Sequence, residues 1–119
     1  MSIGQSRPLQ ALDKAEVEGL PSSCGVYELV SMGGEIVKIG VAGAREPFGL
    51  RSSLSAELLN TSLPLPVMFR YEVNMQYWGR WRELLIRFVR EQRCLPSCNV
   101  PRDIEGVLPL GLLARELET

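Results

Sequence analysis

Hydrophobic and polar positions follow distinct rhythms along this chain, and each rhythm predicts an element. Cys24-Gly25-Val26-Tyr27-Glu28-Leu29-Val30 and Glu35-Ile36-Val37-Lys38-Ile39-Gly40-Val41 are rich in strand-forming residues and flank Gly33-Gly34. Two such runs around a glycine pair predict a hairpin. Val67-Met68-Phe69-Arg70-Tyr71-Glu72-Val73 alternates apolar and polar groups and predicts a third strand. Leu50, Leu54 and Leu58 recur at spacing four within residues 48–60, which predicts a helix with one apolar stripe. The clearest helix covers about residues 77–93. There Trp78, Trp81, Leu85, Phe88 and Val89 share one side with Leu84 nearby, while Arg80, Glu83, Arg87 and Arg90 share the other. Leu9, Leu12 and Val17 predict a short helix over residues 9–19, ended by Gly19 and Pro21. Leu112, Leu113 and Leu117 predict a last one over residues 107–118. Thr61 to Pro66 and Cys94 to Pro101 carry prolines and read as loops.

The order β-β-α-β-α, with its first two strands tightly joined, predicts an α+β domain: a small three-stranded, mainly antiparallel sheet flanked by helices. A chain of 119 residues fits a single domain, 1–119. Its core spans about residues 22–101, after a flexible or helical N-terminal segment 1–20 and before a C-terminal helical extension 103–119. If Gly33-Gly34 is a two-residue turn, Tyr27 faces Gly40 and shares a sheet face with Lys38, its diagonal neighbour. A loop one residue longer would separate them.

Composition narrows the classes. At 45% hydrophobic and 23% charged residues the chain is neither a disordered tail nor collagen-like. No apolar run reaches the roughly 18 residues of a membrane span, and Met1 to Arg7 lack the apolar stretch of a secretory signal. The expected location is cytoplasmic, with no membrane partner. Cys24, Cys94 and Cys98 then read as reduced thiols. With no histidine, a structural zinc site lacks ligands, and a Ser-His-Asp or Cys-His machine is impossible. The phosphate-loop and dinucleotide fingerprints are missing too. The net charge is −1, yet residues 70–102 carry seven arginines against three glutamates, whereas 1–35 and 103–119 are acidic. Guanidinium suits phosphate oxygens; a solvated helix face is the plain alternative.

Gly25-Val26-Tyr27, followed about ten residues later by Lys38-Ile39-Gly40, resembles the paired signature of the GIY-YIG nuclease superfamily. The likeness continues through Arg51 in Phe48-Gly49-Leu50-Arg51, Glu83 in Arg82-Glu83-Leu84-Leu85 and Asn99 in Leu95-Pro96-Ser97-Cys98-Asn99. It implies metal-dependent hydrolysis of DNA phosphodiester bonds. On this resemblance Tyr27 positions or activates water, Lys38 stands in for the second motif tyrosine, and Arg51 steadies the phosphate. Glu83 holds a divalent cation, usually Mg2+, while Arg80, Arg87 and Asn99 contact or support the substrate. A hard cation on one carboxylate keeps waters and polarises a phosphate oxygen. This sequence departs from the pattern at Lys38, at Val41, where a polar residue is common, and in the longer interval from Glu83 to Asn99. The chain is expected to have no room for a separate recognition domain, so sequence specificity would come from a protein partner or be absent. The alternative is a catalytically inactive GIY-YIG-fold module that binds nucleic acid or protein.

Each residue also has a plain reading. Tyr27 suits a strand with its hydroxyl wet, Lys38 an edge strand, Arg51 an exposed helix and Asn99 a turn. Glu83 and Arg87 make an i,i+4 pair worth about 0.2–0.5 kcal/mol. Trp78 and Trp81, on the apolar stripe, read as core.

Overall fold

The structure is a computed structural model that describes residues 8–60, 63 and 66–99. The predicted helix at 107–118 lies outside them. In chain order the elements are β1 (Gln10–Ala11), α1 (Lys14–Glu18), β2 (Gly25–Ser31), β3 (Ile36–Ala42), α2 (Leu50–Leu58), β4 (Val67–Val73) and α3 (Tyr77–Gln92). The architecture is α+β. The sheet has four strands, not three, in the order β1-β4-β2-β3, and every pairing is antiparallel. The helix predicted over 9–19 is correspondingly shorter. Gln10 and Ala11 pair with Phe69 and Met68, and Asp13 then caps α1 by accepting from the Glu16 amide at 2.9 Å.

Strand alternation gives the sheet two apolar faces. On one, Tyr27, Leu29 and Phe69 pack with Leu50 and Leu54 of α2 and with Val17 and Leu20 at α1. On the other, Val26 and Ile39 pack with Trp81, Leu84 and Leu85 of α3. The sheet therefore lies between α2 and α3, and a side chain's parity on its strand decides which helix it meets.

The hairpin differs from the two-residue turn in an informative way. Ser31 N–H donates to Glu35 O at 2.8 Å and Gly34 N–H to Ser31 O at 2.9 Å, so the loop is Met32-Gly33-Gly34. Gly34 sits at φ +90°, where a glycine is at no disadvantage. That extra residue alone would shift the register. A bulge between Leu29 and Val30 and their partners restores it: Val30 pairs with Ile36, but Leu29 pairs with Lys38 and Tyr27 with Gly40. Tyr27 and Lys38 thus share the α2 face despite the longer loop.

The outer edge of β3 is covered by the segment after α3. Cys98 N–H donates to Val37 O at 2.7 Å. The Asn99 side chain accepts from Ile39 N–H at 2.9 Å and donates to Ile39 O at 3.1 Å, acting as a strand partner. Trp81 Nε1 donates to the same carbonyl at 2.8 Å. Asn99→Ala leaves the Ile39 amide without this acceptor, while the carbonyl keeps Trp81. The expected loss is about 1–3 kcal/mol, measured by urea unfolding; a change under about 0.5 kcal/mol would show that the edge does not need Asn99.

Candidate functional site

The two strand motifs meet at a carboxylate. Tyr27 donates its hydroxyl to Glu57 Oε2 at 2.6 Å, and Lys38 Nζ stands 2.6 Å from the same oxygen. Asn60 Nδ2 donates to Glu57 Oε1 at 3.0 Å. Glu57 lies on the inward stripe of α2 with Leu50 and Leu54, and its side chain is only 5% exposed, against 22% for Lys38. Geometry brings the phenol there through Gly40. A Cβ at Gly40 would stand 2.1 Å from Tyr27 Cζ, so the ring crosses β3 where only a hydrogen fits. This is a physical reason for the tyrosine-to-glycine pairing across the hairpin.

The electrostatics assign the protons. The Tyr27 phenol is held well above its usual value, first by burial and then by the adjacent Glu57 charge, with Glu46 adding to it. Tyr27 is a hydrogen-bond donor to Glu57 here. Burial is the largest influence on Glu57 and pushes it up. The donors Asn60, Lys38 and Tyr27 together outweigh burial and hold the carboxyl below its ordinary 4.5. The cluster is an ionised carboxylate between an ammonium and a neutral phenol.

The other expected residues stand elsewhere. Arg51 donates through Nε and Nη2 to Leu20 O at 3.0 and 2.9 Å, with its guanidinium 5.8 Å from the Phe48 ring centroid. It ties α2 to the turn after α1. Asn99 supports the backbone of β3, as described above. Glu83 lies on α3, across the sheet from Tyr27 and Lys38, with its side chain 52% exposed. Its Oε1 is shared by Arg80 and Arg87, and Arg80 also bonds Glu72 at 3.0 Å. Tyr27, Lys38, Arg51, Glu83 and Asn99 do not gather around one point. Tyr27 and Lys38 come together, and the carboxylate between them is Glu57 rather than Glu83.

The two carboxylates differ in how far their oxygens are already engaged. Glu57 has donors on both oxygens, which leaves no open face for a cation, whereas on exposed Glu83 both guanidinium groups meet Oε1. Among the described residues, no three His, Cys, Asp or Glu side chains cluster as metal ligands. No described helix is long and apolar enough to cross a membrane.

A family model described as a domain of unknown function (DUF7508) matches residues 4–92. The chain belongs to the DUF7508 family. No curated protein and no solved structure matches it. The DUF7508 span ends at Gln92, the last residue of α3. It encloses the whole sheet, the Tyr27–Lys38–Glu57 cluster and the arginines of α3, while Asn99 falls outside it.

Proposed function

We propose that the chain is a nucleic-acid-binding domain that grips DNA phosphates with the outward side of α3 and does not cleave them through the Tyr27 cluster. The observation that carries this reading is the disposition of the arginines. Arg82 and Arg90 are exposed on α3, with no ion pair among the described residues. Arg87 stands beside them, half-exposed, with Glu83 as one partner. Exposed guanidinium groups release counterions when they meet phosphates, which makes binding salt-dependent. The acidic ends of the sequence leave this the positive region of the chain. The Tyr27 cluster, by contrast, is closed on itself: its anion is internal, and its phenol gives a hydrogen bond rather than accepting a proton. Its role on this reading is to fix the hairpin against α2. Cys24, Cys94 and Cys98 form no disulfide, which fits action in the reducing cytoplasm.

A second reading, a magnesium-dependent GIY-YIG-like endonuclease, draws on the meeting of Tyr27 and Lys38 on one sheet face. One experiment separates the two. Labelled oligonucleotide is incubated with the protein at low salt, with and without magnesium, and both retardation and fragment length are read. The expected result is a retarded, intact strand. Magnesium-dependent fragments that disappear in Glu83→Ala or Glu57→Gln would replace the binding reading with the nuclease one.

A further inference from the structure

We propose that Trp78 and the arginines beyond it form a track for single-stranded DNA, with the indole stacking on an unpaired base. The proposal rests on the nucleic-acid reading above and narrows its ligand. Periodicity places Trp78 on the apolar stripe of α3, yet the residue is 56% exposed, whereas Trp81 is 5% exposed. The Trp78 ring is braced from behind: its centroid lies 5.3 Å from Trp81 at 57° and 6.0 Å from Tyr77 at 45°. Gly79 beside it has nothing within 4 Å of where a Cβ would stand, so the surface next to the indole is open at that position.

Cations follow along the helix. Arg82 is one turn beyond Trp78 and Arg90 two turns beyond that, about 6 and 18 Å along the axis. Arg82, Arg87 and Arg90 line one groove that begins at Gly79, next to Trp78, and that also holds Glu83 and Glu91. A row of guanidinium groups alone would suit any phosphate backbone. The indole adds the discrimination: a base inside a duplex hides both faces in its stack, whereas an unpaired base offers one to a braced aromatic ring. Stacking of this kind tolerates any sequence, because every base has a π face.

The test uses the full chain with labelled oligothymidylate and a duplex of equal length, followed by anisotropy and intrinsic tryptophan emission. Oligothymidylate is expected to bind more tightly than the duplex and to quench the emission of the exposed indole. Trp78→Ala is expected to weaken single-strand binding about five-fold or more and to leave duplex binding unchanged, while Trp78→Phe keeps most of the affinity. Trp78 is exposed, so folding survives the change, which circular dichroism verifies. Equal binding of both ligands, unaffected by Trp78→Ala, would overturn the single-strand proposal and leave the phosphate-binding reading standing. No binding of either ligand at low salt would overturn both.

Discussion

Gly40→Ala is expected to destabilise the fold by about 3 kcal/mol, the upper end of ordinary overpacking. The added methyl would fall 2.1 Å from Tyr27 Cζ and 2.4 Å from its hydroxyl oxygen. Both ends of the contact are fixed. Gly40 sits in the middle of β3, paired with Tyr27, and the phenol is tethered to Glu57. The ring must therefore leave, breaking the hydrogen bond to a buried carboxylate as well as the packing. Urea unfolding reads the loss. Tyr27→Leu in the Gly40→Ala background is expected to recover part of it, because the shorter side chain vacates the space. A Gly40→Ala protein as stable as the parent would show that the ring is not held across the strand.

Lys38→Met has an effect of similar size for a different reason. It keeps the volume of the side chain but removes the cation facing Glu57, whose carboxylate is 5% exposed. Removing one partner of a buried pair leaves an uncompensated charge, which costs about 3–5 kcal/mol; the partial exposure of Lys38 places the expected loss near the lower figure. Replacing the whole cluster, as Tyr27→Phe, Lys38→Met and Glu57→Leu together, is expected to recover most of that loss, since no buried charge then remains unpaired. The same cluster makes stability depend on pH. Glu57 is held below its unfolded value of 4.5, so its contribution is complete above that value and is lost as pH falls through the lower, folded one. Glu57→Gln removes this acid-side component. Urea midpoints measured from neutral pH down into the acid range test both statements. A Lys38→Met protein that matches the parent across that range would mean that Glu57 is not buried against the ammonium.

Much of the frame was legible in the sequence, for identifiable reasons. Strand β4 follows from alternation, β2 and β3 from runs of strand-forming residues around a glycine pair, and α2 and α3 from apolar stripes of helical period. β1 was not, since two residues carry no period; only pairing with β4 makes Gln10 and Ala11 a strand. The Tyr27–Gly40 register was expected from a two-residue turn and arises instead from a three-residue loop and a bulge, two offsets that cancel. Glu57 escaped sequence reasoning because a glutamate between leucines on a helix reads as solvated. Its signal was positional: it follows Leu50 and Leu54 on the stripe that faces the sheet, opposite a lysine in mid-strand. Trp78 misled in the opposite direction, because an aromatic group at the first turn of a helix can satisfy the period and still overhang the end of the sheet. Glu83 kept its expected helix, but helix periodicity does not say which side of the sheet that helix covers.

The most direct measurement of the central claim is the salt dependence of single-stranded DNA binding by the parent protein and by Arg82→Ala/Arg90→Ala. In single strands each lost phosphate contact lowers the slope of log K against log salt by about 0.7. The double variant is expected to bind more weakly at low salt, with a slope shallower by about 1.4. Affinity and slope identical in the two proteins would contradict the claim, because the phosphates would then be held somewhere other than α3.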